Sequence, residues 1–316
     1  MDVPSFLQPQ TDSQYANSVY VHSIFQHSKP LGFSKTIWWP SADPSTVVLF
    51  IPGNPGLSEF YIPFLSALYH QSNRLCILAQ SHLGHTEEAT AFIHDLAAQV
   101  SAAIEGLDAL RQTYPGKKFI VIGHSVGSWI ASQVLKARPS EVHSVFLLFP
   151  TITNILHTPN GRSLSWAFRP PFRYIISKFS LLLRPIFSRI LSALFSEWPK
   201  AQLAVLLRLL HSSSCIEACL SMAHEEMNTI RELDVEFLET YQHRIHMYFA
   251  ETDGWVGNNK DVILRSFNPD RDSVKIVHGD HGIPHAFCIM HPLDVRAMTS
   301  LYHVSSLTEL PDTATA

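Results

Sequence analysis

Six short runs of aliphatic and β-branched residues, separated in part by stretches of helical character, restrict most sharply what this chain can fold into. They are TVVLFIPG (46–53), LCILAQ (75–80), KFIVIG (118–123), SVFLLFP (144–150), RIHMYFAE (244–251) and SVKIVHG (273–279). Near-continuous apolar character of this kind marks strands buried on both faces. Between the middle runs lie helical patterns, such as 88–114 with FIHDLAAQVSAAIEGLDALRQTY. The alternation implies an α/β fold, a mostly parallel central sheet with helices on both faces. SVYVHSIFQ (18–26) and SKTIWWP (34–40) read as an opening pair of strands. With 46% apolar and 16% charged residues among 316, the chain can fill such a core.

The alternation breaks after the run at 144–150, and the next clear strand waits until 244. That interval is too long for a simple crossover. It predicts a largely helical cap insertion, 151–242, over the C-terminal edge of the sheet, where open α/β sheets bind their ligands. The expected organisation is one domain, with core segments 18–150 and 243–304, the cap between them, and a polar tail at 305–316. The tail carries no retention or prenylation motif.

One of the strand-to-helix turns carries chemistry. In VIGHSVGSWIA (121–131) Ser125 stands between Gly123 and Gly127, with His124 beside it, after an apparent strand and before an apparent helix. A G-x-S-x-G in that setting is a nucleophile elbow, and side chains at the two glycines would collide with the crossing elements. A serine nucleophile needs a base, an acid to orient the base, and donors for the oxyanion. With such an elbow the acid and then the base follow in the chain. Asp253 stands at the end of the strand 244–251, in TDGW. Four histidines follow the next strand or end it: His278, His281, His285 and His291. His285 sits after Pro284 on a loop before AFCIM, a loop-to-helix entry that favours it over His281. Gly279, Gly282 and Pro284 preclude one helical ligand face, which argues against zinc on His278, His281 and His285. No metal or cofactor is expected. The oxyanion donors are expected to be the Val126 backbone N–H and a second group in IPGNPG (51–56), with Asn54 the favoured contributor and the turn's amides exposed by its glycines.

These residues belong to a wider resemblance. IPGNPGLSEFY (51–61), SHLGH (81–85), GHSVGSWI (123–130), LLFPTI (147–152) with TPNG (158–161), MAHEEM (222–227), TDGW (252–255) and IPHAF (283–287) resemble the lipid-droplet-associated hydrolase family, a branch of the α/β-hydrolases. The resemblance spans nearly the whole chain beyond its first dozen residues and its tail. It implies Ser125 as nucleophile, Asp253 as acid and His285 as base. It also implies association with lipid droplets and the endoplasmic reticulum, and an ester-lipid or sterol-ester substrate. The stretch 162–210 is the part least like a motif.

That stretch is unusual in charge. Between 162 and 210 stand eight basic residues and one acid, Glu197, in a chain whose net charge is −4. It is also dense in Phe, Leu, Ile and Trp. No 18-residue window within it is free of charge, so a plain transmembrane helix is not expected. Arg169, Arg173, Lys178, Arg184 and Arg189 do not share one helical face, and Pro170, Pro171 and Pro185 are expected to break any single long helix. Short helices whose cations reach phosphates while their apolar groups enter an acyl region fit a phospholipid surface. An ordinary lid over the pocket is the alternative. The overall acidity gives no basic footprint for nucleic acid. Four scattered cysteines make no disulfide framework, and no signal peptide is expected in MDVPSFLQPQTDSQYANS.

Overall fold

In the computed structural model the described residues are 3–10, 18–86, 93–195, 198–266, 275–278 and 283–290, with backbone only at 183–189, 192, 275–278 and 290. The strands are β1 (Leu7–Pro9), β2 (Val21–Gln26), β3 (Phe33–Trp39), β4 (Thr46–Ile51), β5 (Leu75–Gln80), β6 (Lys118–His124), β7 (Val142–Leu148), β8 (Ile245–Phe249) and β9 (Lys275–His278). They form one sheet in the order β1-β2-β3-β5-β4-β6-β7-β8-β9. Pairing is antiparallel from β1 to the β3–β5 contact and parallel from there to β9. β1 has no counterpart in the sequence reading, because three residues carry no measurable period.

The parallel strands are apolar throughout because both faces are covered. Along β4, Val47, Leu49 and Ile51 enter one core, and Val48 and Phe50 enter the other. Helices α2 (Leu96–Thr113) and α3 (Val126–Ala137) pack on the first face, and α1 (Ile62–Tyr69) on the second. Each fully buried aliphatic side chain there contributes roughly 1.5–3 kcal/mol. Asp95 caps α2 by accepting from the Ala98 N–H at 2.7 Å.

Between β7 and β8 run α4 (Pro159–Phe168), α5 (Phe172–Leu194), α6 (Lys200–His211), α7 (Ser213–Thr229) and α8 (Val235–Tyr241). Pro170 and Pro171 fall in the break between α4 and α5. Pro185 does not break anything: α5 runs through it for 23 residues. A proline removes a single backbone donor, here the one facing the Leu181 carbonyl, and the remaining turns and the packing on α6 and α7 keep the helix continuous. No single described helix is long and apolar enough to cross a membrane, and α6 with α7 qualifies only as a pair bent by 92°. After β8 come α9 (Asn259–Arg265) and the short α10 (Phe287–Met290).

Candidate active site

The elbow is held by close backbone contact. β6 ends at His124 and α3 begins at Val126, so the whole reversal falls on Ser125, at φ 54° and ψ −121°. Such a conformation is strained for a residue with a Cβ and persists only where its surroundings enforce it. A Cβ on Gly123 would lie 2.1 Å from the Gly127 carbonyl oxygen, and one on Gly127 would lie 2.3 Å from that of Ile51. Neither neighbour is a movable side chain, so both positions require glycine. The Ser125 N–H donates to the Leu148 carbonyl at 2.9 Å, which locks the turn to β7.

Three chain-distant residues meet at this turn. Ser125 Oγ lies 2.9 Å from His285 Nε2, and His285 Nδ1 lies 2.7 Å from Asp253 Oδ2. Asp253 Oδ1 accepts from the Trp255 and Val256 N–H groups at 2.8 and 3.1 Å. Burial works against ionisation of Asp253, but the His285 contact and these two amides outweigh it and hold the carboxyl below its usual range. An ionised Asp253 only accepts, so the His285 proton sits on Nδ1 and Nε2 is free to accept the serine proton. The Asp253 loop is braced in turn. The Asn160 N–H donates to the Gly254 carbonyl at 2.9 Å, and α4 is capped by Thr158, whose Oγ1 accepts from Gly161 N–H at 3.1 Å. The TPNG segment thus acts as a helix cap pressed against the Asp253 loop. His281 and His291 lie outside the described residues, and His278 is described by its backbone alone.

The donors around the serine differ from the sequence reading in one respect. The amides of Gly53 and Gly56 are not exposed: the first donates to Tyr61 Oη at 3.0 Å and the second to His85 Nδ1 at 2.8 Å. The glycines are needed because His124 and His82 crowd those positions. Pro55 has no N–H, so Asn54 holds the loop's remaining backbone donor. Val126 is the first residue of α3 and its N–H has no intrahelical acceptor. Asn54 and Ser125 line one cavity.

His124 connects the PGNPG loop, through Tyr61, to the His285 loop. Burial, with the His285 ring nearby, pushes its imidazole down to about 3, so it is neutral. Its Nε2 is 2.9 Å from the His285 carbonyl oxygen, which can only accept. The proton is therefore on Nε2, and Nδ1 accepts from Tyr61 O–H at 2.7 Å. A directed chain of hydrogen bonds then runs from the Gly53 amide through Tyr61 to His124, and from His124 to the base loop.

Above Ser125 opens a cavity of about 400 Å³, walled mainly by apolar side chains of the inserted helices, among them Leu164, Phe168, Leu209, Ile216, Leu220 and Met227. One wall residue is a carboxylic acid, Glu226 on α7. Burial pushes its carboxyl up to about 7, against the Asn54 hydrogen bond that pulls it down. Tyr61, His85 and Glu226 were not singled out as functional by the sequence reading. Their only signal lay in EFY, SHLGH and MAHEEM, segments of the family resemblance to which no physical role was attached.

The comparisons agree with one another. The family model described as "Lipid-droplet associated hydrolase" matches residues 44–288. The lipid droplet-associated hydrolase of Homo sapiens is 31% identical over 273 residues, covering 77% of this chain and 80% of its own. That of Mus musculus is 28% identical over 267 residues, covering 78% and 81%. Among solved structures, the peroxisomal alpha-beta-hydrolase Lpx1 of Saccharomyces cerevisiae superposes with a TM-score of 0.63 at 10% identity, covering 93% of this chain and 91% of that one. At that identity the likeness speaks for the fold alone, and the fold is that of the α/β-hydrolases.

Proposed function

The chain belongs to the lipid-droplet-associated hydrolase family, and from that premise we propose that it is a serine hydrolase of ester lipids, sterol esters or acylglycerols, at the lipid-droplet surface. The observation that carries this reading is the Ser125–His285–Asp253 alignment, with both hydrogen bonds at 2.9 Å or less. Ser125 Oγ attacks the ester carbonyl carbon while His285 Nε2 takes its proton. Asp253 orients the imidazole and stabilises the imidazolium. The carbonyl oxygen, now negative, is received by the Val126 and Asn54 backbone N–H groups. His285 returns the proton to the departing alcohol, leaving an acyl-enzyme. Water, deprotonated by the same histidine, then releases the fatty acid. The apolar cavity above Ser125 suits a hydrocarbon chain.

The segment 162–210 is the surface we assign to the phospholipid monolayer. Of the large apolar side chains exposed among the described residues, ten of fourteen lie between Leu164 and Leu194. Phe172, Ile175, Phe179 and Leu182 recur at helical spacing along one side of α5, with Lys178 exposed nearby. An apolar stripe of that extent with cations at hand fits insertion at a lipid interface, on a droplet or on the cytosolic face of the endoplasmic reticulum. The same stripe favours a second reading, a droplet-surface protein whose hydrolase fold is mainly a scaffold. A panel of sterol esters, mono-, di- and triacylglycerols dispersed in phospholipid separates the two. The enzyme reading expects release of fatty acid from at least one class, lost in Ser125→Ala. Equal release by both proteins would leave the scaffold.

A further inference from the structure

The carboxyl of Glu226 stands in an apolar wall, where a polar group is costly unless it is hydrogen-bonded. Its partner is the Asn54 side chain. Asn54 Nδ2 has two protons: one goes to Glu226 Oε1 at 2.9 Å, the other to the Cys219 carbonyl oxygen at 2.9 Å. The two acceptors are seven positions apart on α7 yet converge on one amide. A helix carbonyl points toward the C-terminus and a long helical side chain leans back toward the N-terminus, so both meet near position 223. Cys219 also reaches the loop with its side chain, Sγ lying 3.6 Å from His85 Nδ1, the acceptor of the Gly56 amide. The cap helix therefore grips the PGNPG loop directly at its central residue, Asn54, with every donor that side chain has, and through His85 at Gly56.

We propose that Glu226 is a positioning residue for acyl transfer: with the Cys219 carbonyl it clamps the Asn54 side chain, so the Asn54 backbone N–H is aimed at the oxyanion only while α7 lies over the site. This rests on the reading of Ser125 as nucleophile and of the Asn54 amide as oxyanion donor. It adds that the cap and the catalytic machinery are one mechanical unit. The chemistry requires an acceptor at residue 226, not a charge. A glutamine oxygen can take the same bond, and a leucine of similar size cannot.

The test uses the full chain, a short soluble ester and a fluorophosphonate, with Glu226→Leu, Glu226→Gln, Asn54→Ala and the double variant Asn54→Ala/Glu226→Leu. Loss of a well-aimed oxyanion donor lowers the rate of acyl and phosphonyl transfer by about tenfold or more, while leaving ground-state binding nearly intact. E226L is expected to lose that factor in kcat and in labelling rate, with KM within about twofold. E226Q is expected to return both toward wild type. N54A keeps its backbone N–H but loses both clamp bonds, so it should fall at least as far as E226L, and the double variant no further than N54A. If E226L does not fold, N54A, which removes the same bond from the loop side, carries the test. Wild-type kcat in E226L or in N54A would overturn the proposal. So would E226Q as impaired as E226L, or a rise in KM alone, which would make Glu226 a pocket wall. A protein that labels equally with Ser125 replaced by alanine would overturn the underlying reading instead.

Discussion

The turn around Ser125 and the helix α5 treat their apolar and polar groups in opposite ways. At the turn, β4, β6 and α3 are buried almost completely, with Val48, Ile122, Val126 and Ile130 fully enclosed. Most of the polar side chains around it find partners inside the protein, as the Gly53–Tyr61–His124–His285 chain illustrates. In α5, Leu182 and Leu194 are 71% and 70% exposed. The protein has ample core elsewhere, so this exposure is not a shortage of places to bury side chains. The difference is one of solvent. The elbow creates its own low-dielectric interior, in which charge and geometry are fixed by neighbours. On the reading proposed above, the exposed α5 face is a surface suited to an apolar partner.

The comparison breaks most visibly at Ser125. Ser125→Ala should lower ester hydrolysis by about 10⁴-fold or more, with an unchanged melting temperature, since only the oxyanion donors and binding remain. Soluble-ester kinetics beside a thermal melt check this. Asp253→Asn should cost about 10³ to 10⁴ in kcat, because the neutral amide no longer favours the Nδ1 tautomer of His285. Combined with Ser125→Ala it should add little further loss. Additive losses would mean that the two residues do not act as one unit.

At α5 the expected effects are on binding rather than chemistry. Replacing Phe172, Ile175, Phe179 and Leu182 with serine should weaken binding to phospholipid vesicles by about a hundredfold, while sparing soluble-ester turnover. Four such changes in β4 or β6 would unfold the protein, which is the contrast in its sharpest form. Lys178→Gln alone should have a smaller effect, about fivefold, one cation near an anionic surface being worth on the order of 1 kcal/mol. Flotation of vesicles with and without anionic lipid reads both. Loss of turnover along with binding would make α5 an ordinary lid.

For Glu226→Gln, which keeps the acceptor, the expected effect is on stability alone. The folded Glu226 carboxyl titrates near 7 where the ordinary value is 4.5, so between those values the folded state holds a proton that the unfolded state releases. Stability must then fall as pH rises across that window, by at most about 3 kcal/mol. Glu226→Gln should flatten this part of the profile and raise the melting temperature relative to wild type at pH 8. Parallel profiles for the two proteins would show that Glu226 is not the group responsible.

Much of this arrangement is legible along the chain, for a physical reason. Ser125 ends one parallel strand, Asp253 follows another and His285 follows the last, and parallel strands deliver their C-terminal ends to one edge. Strand ends can be found from apolar runs, so the meeting of these residues can be anticipated from sequence. The clamp could not be anticipated that way. Asn54 and Glu226 are 172 positions apart, and Glu226 stands inside α7, at no boundary that a pattern could mark. Gly53 and Gly56 show the limit of composition: the missing side chains suggest free amides, whereas they admit His124 and His82 and the amides are consumed. Pro185 shows the same limit for helices, since a breaker sets only a local cost and the packing of α5 decides the outcome.

The central claim is that the strained serine between β6 and α3 is the nucleophile. The most direct measurement is peptide mapping by mass spectrometry after treating the folded protein with a fluorophosphonate. The account predicts a single phosphonyl adduct on Ser125, formed by the native protein and absent after heat denaturation. An adduct on another residue, or none under conditions that label a serine esterase control, would contradict it.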